Sequence, residues 1–121
     1  MKIRIKGDFV RYRLTKTEVE TFCKTGLYQE TTDFGNAVFT YALKAKKGIG
    51  ALDAEFNNNA ITLYLPDEER SKWAISDRVG YQDTINLPHG KKLTLLVEKD
   101  FVCLDETIED QSDNYPNPLA N

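Results

Sequence analysis

The sequence predicts an α+β domain, with an antiparallel, strongly twisted sheet or half-barrel of about seven strands and two helices, at about 16–25 and 67–75. Three observations lead there. Short runs that alternate apolar and polar residues recur along the chain, the period of half-buried strands. Gly, Asn and Pro turns separate them. One stretch near the start carries a clean helical period with start and stop signals at its ends.

The chain opens M-K-I-R-I-K-G-D-F-V-R-Y-R-L. It reads as two strands joined at Gly7-Asp8, since a two-residue loop with Gly first suits a type II′ hairpin. That loop sets Ile5 opposite Val10, Arg4 opposite Arg11, Ile3 opposite Tyr12 and Lys2 opposite Arg13. Alternation then gathers Ile3, Ile5, Val10 and Tyr12 on one face, and Lys2, Arg4, Lys6, Arg11 and Arg13 on the other. Like charges directly opposite one another destabilise a sheet. Something negative is therefore expected over this face, either the protein's own carboxylates or a bound anion.

In T-K-T-E-V-E-T-F-C-K-T-G, Thr15 and Glu18 fit a capping box. Val19, Phe22 and Cys23 form the apolar stripe of a helix over 16–25, and Gly26 suits the left-handed stop. The stripe is expected to pack on the Ile3/Ile5 face, with Cys23 as a small core residue. Residues 27–34 read as a strand or extended edge. Residues 37–45, 51–56 and 60–65 read as a three-strand antiparallel meander. In it Leu52, Ala54 and Phe56 point inward, as do Ile61, Leu63 and Leu65. Pro66 followed by Asp67, Glu68 and Glu69 suits the first turn of a helix over about 67–75. Residues 79–86 alternate, with Val79, Tyr81 and Ile85 on one side. Residues 91–99 are the most apolar strand, hence a central one, and 100–104 extend it past a bend. Residues 1–104 then form a single domain, and 105–121 an acidic tail with Pro and Asn, from which Tyr115 can tuck its ring against the body.

Charge is distributed unevenly. Residues 1–50 hold 10 Lys/Arg and 5 Asp/Glu; residues 51–121 hold 6 and 14. The halves are complementary, which favours their packing together and pairing charge. The net charge of −3 does not argue for nucleic acid, and binding of single strands would call for more aromatics among the cations. Two cysteines at unrelated spacing make no disulfide framework. The start has no apolar run of signal-peptide kind, and no stretch has the length of a membrane span. The expectation is a cytoplasmic protein with free thiols.

Catalytic patterns are sparse. His89 is the only histidine and falls in a turn; three scattered Cys and His residues do not make a zinc site. No phosphate-cradling glycine motif is present, and no cofactor is implied. Asp53/Glu55 and Glu98/Asp100 are i, i+2 pairs, each projecting from one strand face. Together they offer either a Mg2+ or Ca2+ site or neutralisation of the basic face. The sequence thus supports a small binding module rather than an enzyme, with an anionic ligand or an acidic protein surface on the hairpin face. The alternative is a metal-assisted phosphohydrolase acting on a phosphate ester or triphosphate. The 27–34 edge offers a place for a second copy to pair.

The opening M-K-I-R-I-K-G, then R-L-T-K-T-E-V-E, L-V-E-K-D-F-V-C-L and Y-P-N-P, resembles a family of small uncharacterised bacterial proteins over nearly the whole chain. The resemblance implies a bacterial cytosolic protein and brings no activity, cofactor or site residue with it.

Overall fold

The structure, a computed structural model, describes residues 1–102 and 111–116. It is α+β and mostly strand, but the strands form two four-stranded sheets rather than one of about seven. The first sheet contains β1 (Lys2–Ile5), β2 (Phe9–Leu14), β7 (Gly80–Asn86) and β8 (Lys92–Lys99), in the order β1-β2-β8-β7. The second contains β3 (Leu27–Asp33), β4 (Val38–Lys46), β5 (Asp53–Asn57) and β6 (Ala60–Pro66), in the order β3-β4-β6-β5. Each sheet consists of two hairpins joined through their second strands, which run parallel: β2 with β8, and β4 with β6.

The antiparallel meander expected over 37–65 is therefore corrected. β5 and β6 do form a hairpin, but β6 pairs with β4 and leaves β5 on the edge. The physical reason lies in burial. Leu43, Leu63 and Leu65 are fully buried, and the parallel register sets Leu43 beside Leu63 at the centre of the sheet. β8 is central in the first sheet, as its apolar composition predicts.

The sheets meet face to face through Tyr12, Leu14, Leu95 and Val97 on one side and Leu43, Leu63 and Leu65 on the other. Tyr12 donates its hydroxyl to the Ile61 carbonyl at 2.9 Å, and its ring meets Tyr41 edge-on at 6.0 Å. The Leu52 N–H donates to Asp83 Oδ2 at 2.9 Å, tying the segment before β5 to β7. The parallel pairs bring both turns of each sheet to one end of that sheet, and Ile5, Val10 and Leu93 of the first sheet line one groove with Phe56 and Ile61 of the second, so all four turns share one end of the sandwich.

The opposite end is closed by α1 (Lys16–Thr25) and the 3-10 turns Asp67–Ser71 and Trp73–Ile75. α1 has the expected bounds. Thr15 and Glu18 form the capping box, and Gly26 takes φ +82° at the stop. Its stripe packs on β3 and the 3-10 turns more than on the Ile3/Ile5 face. Val19 and Phe22 are buried, and Phe22 meets Trp73 edge-on at 6.3 Å. Cys23 is half-buried against the core, and burial raises its thiol pKa. Arg70 donates to the carbonyls of Cys23 and Lys24 at 3.2 and 3.0 Å, satisfying the helix's free C-terminal acceptors.

The helix expected over 67–75 is two 3-10 turns instead. The backbone breaks at Lys72, φ −121°, and Trp73 is the one residue of 67–75 that is fully buried, so no apolar stripe holds a continuous α-helix there. Phe56, expected inward, is exposed, and Val79, expected on one side with Tyr81, is exposed while Tyr81 is buried. Tyr115 does tuck against the core: Val102 donates to its carbonyl at 2.7 Å, and its own N–H donates to Asp100 O at 2.8 Å. Cys103, the continuation to Leu104 and the acids at 105–110 lie outside the described residues.

Candidate functional site

The N-terminal hairpin has the register that its turn dictates. Gly7 takes φ +54° in the two-residue loop, and Lys6 N–H donates to Phe9 O at 3.0 Å. Lys2 faces Arg13 and Arg4 faces Arg11. These four cations, with Ile3, line a groove of about 320 Å³ on the outer face of the first sheet. Lys6 sits beyond it at the turn and is not part of its lining.

The next strand inward determines how these charges are met. Arg13 is the register partner of Glu98 on β8, and its Nε donates to Glu98 Oε1 at 2.8 Å. Lys2 Nζ lies 3.0 Å from Oδ2 of Asp100, a buried carboxylate. Arg11, two residues before Arg13, is instead the register partner of Leu96. Successive outward positions on β8 thus set an apolar side chain beside Arg11 and a carboxylate beside Arg13. Among the described residues no carboxylate ion-pairs with Arg4 or Arg11. Burial lowers the Arg11 pKa, and Arg13 and Arg4 lower it further, with Glu98 and Asp100 opposing.

The expected neutralisation is thus partial. Glu98 and Asp100 meet two cations, so among the described residues the groove's four cations and two carboxylates leave a net charge of about +2. Gly80 faces Glu98 from β7, and a Cβ there would lie 2.3 Å from the Val97 carbonyl. Only glycine lets β7 approach β8 this closely beside the carboxylate.

The four acids of the metal alternative are not brought together. Asp53 and Glu55 lie on β5 of the second sheet, and Glu98 and Asp100 serve Arg13 and Lys2 on the first. Glu55 accepts instead from Tyr64 Oη at 3.1 Å, and Asp53 from the Ala54 N–H at 2.8 Å. Among the described residues no three His, Cys, Asp or Glu converge as metal ligands. His89 is exposed in its turn at φ +72°.

Sequence reasoning missed a second cavity, of about 420 Å³, beside Gly50, Glu68, Glu69, Arg78, Tyr81 and Asp83. Its available signal was the acidic run 67–69 and the two-glycine loop at 48–50. Most of its polar groups are engaged with one another. Tyr81 donates to Glu69 at 2.8 Å, Arg78 lies 3.9 Å over the Tyr81 ring, and Asp83 holds the Leu52 N–H. Burial and then Glu69 raise the Tyr81 pKa, so the phenol stays protonated.

Among the described residues no helix is long and apolar enough to cross a membrane. No curated protein and no solved structure matches the chain. A family model does match, over residues 1–119, and the chain therefore belongs to that family of unknown function, DUF7009.

Proposed function

We propose that this protein is a small binding module whose N-terminal hairpin holds an anion on Arg4 and Arg11. One observation carries the reading: two guanidinium groups stand opposite one another in a groove, with no ion-pair partner among the described residues, beside an arginine and a lysine that each have one. An oxyanion relieves that repulsion. Guanidinium forks match phosphate and carboxylate oxygens and bind them in bidentate fashion. A groove of about 320 Å³ suits a phosphate-bearing or carboxylate-bearing small molecule, or an acidic side chain presented by another protein.

The test is the thermal midpoint in sulfate, phosphate or pyrophosphate against chloride at matched ionic strength. A ligand of the folded state raises the midpoint with its concentration. The wild-type protein is expected to show that rise, and Arg4→Gln and Arg11→Gln to lose it. An identical midpoint in all four salts overturns the reading.

A further inference from the structure

We propose that the turn end of the sandwich is a two-fold interface between two copies of this chain. Around the four hairpin turns, large apolar side chains stand in solvent: Phe56 is 77% exposed, Phe34 67%, Ile5 55% and Val38 47%. They are not scattered. Phe56 borders a groove of about 390 Å³ between the sheets, walled by Ile5, Val10, Leu63 and Leu93. It also borders a second groove of about 240 Å³ with Phe34 and Val38. The shared ring joins the two into one apolar band, and a contiguous exposed band marks an association surface.

The charges flanking the band select the occupant. The turns of the first sheet carry Lys6, Lys91 and Lys92 against one acid, Asp8. The same end of the second sheet carries Asp33 and Glu55 and no cation between 31–39 or 54–61. A two-fold rotation lays the basic rim of one copy on the acidic rim of the other, twice, while the band meets itself. A partner of a single sign meets a like-charged rim on one side. The surface is separate from the basic groove, which occupies the outer face of the first sheet.

Sedimentation velocity of the full chain, from micromolar to near-millimolar, tests this. A concentration-dependent dimer is expected. Phe56→Asp, a change at an exposed position, is expected to give a monomer with an unaltered circular dichroism spectrum and a melting midpoint that no longer rises with protein concentration. Lys91→Glu with Lys92→Glu is expected to weaken the dimer about tenfold or more, and adding Asp33→Lys with Glu55→Lys to the same chain to restore it. A monomer throughout, or a dimer indifferent to Phe56→Asp, overturns the proposal. A dimer that needs Phe56 but ignores the charge reversals overturns the two-fold arrangement. A monomer that binds an apolar dye, with binding lost in Phe56→Asp, assigns the groove to a small apolar ligand instead.

Discussion

Arg13 and Glu98 are register partners across the parallel β2–β8 pair, 85 residues apart in the chain, with Nε donating to Oε1 at 2.8 Å. The contact couples sheet register to site charge. A one-residue slip of β8 would put Val97 or Lys99 in place of Glu98 and leave Arg13 unmet.

Glu98→Gln separates those two roles. The pair is only partly buried, so its loss is expected to cost about 0.5–1 kcal/mol in urea denaturation. The same change adds a positive charge to the groove. Sulfate is expected to stabilise Glu98→Gln more than it stabilises the wild-type protein. Equal or weaker stabilisation would count against the groove as the anion site.

Trp73 anchors the closed end, edge-on to Phe22 at 6.3 Å and to Tyr81 at 5.5 Å. Trp73→Ala is expected to cost about 3–5 kcal/mol, a large part of the roughly 5–15 kcal/mol that holds a domain together. The indole N–H has no hydrogen-bond partner among the described residues, so Trp73→Phe gives up packing volume but no hydrogen bond and is expected to cost clearly less. Chemical denaturation followed by circular dichroism compares the two.

Tyr12 is buried between the sheets, and its hydroxyl meets the Ile61 carbonyl. Tyr12→Phe keeps the ring and removes one buried hydrogen bond, for an expected loss of about 1 kcal/mol. Burial raises the pKa of this phenol, so its absorbance is expected to titrate only as the protein unfolds in alkali.

Asp113 ties the 111–116 segment to the start of α1. It accepts from Thr17 Oγ1 at 2.8 Å, while Lys16 N–H donates to its carbonyl at 2.9 Å. Hydrogen bonds from Thr15 and Thr17 hold its carboxyl below the usual range, against a smaller opposing effect of burial. A depressed folded pKa means the contact contributes fully above the ordinary Asp range and is lost as pH falls through the folded value. Protection of the 111–116 amides, exchange taken relative to the unstructured rate at each pH, is expected to fall over that acid window, and in Asp113→Asn to be low throughout and flat across it.

Much of this fold was legible where the signal was local. Thr15, Glu18 and Gly26 delimit α1 because capping is settled within a few residues, and Gly7-Asp8 sets the hairpin register for the same reason. The parallel pairings were not legible. They depend on which distant strand buries Leu43 and Leu63 best, and a hairpin-sized gap between 45 and 60 reads equally well as a meander. Phe56 misled because β5 continues to Asn57 at the turn end, where alternation persists but the core does not. For the site, the like-charge pairs were written in the first 13 residues. The uneven neutralisation was not, since it needs the β8 register that sets Leu96 beside Arg11 and Glu98 beside Arg13.

The most direct measurement follows the side-chain Nε–Hε resonances of the arginines by NMR as pyrophosphate is added. The account predicts saturable shifts concentrated on Arg4 and Arg11, with Arg70 and Arg78 unmoved. Uniform, non-saturating drift of all the arginines would contradict it.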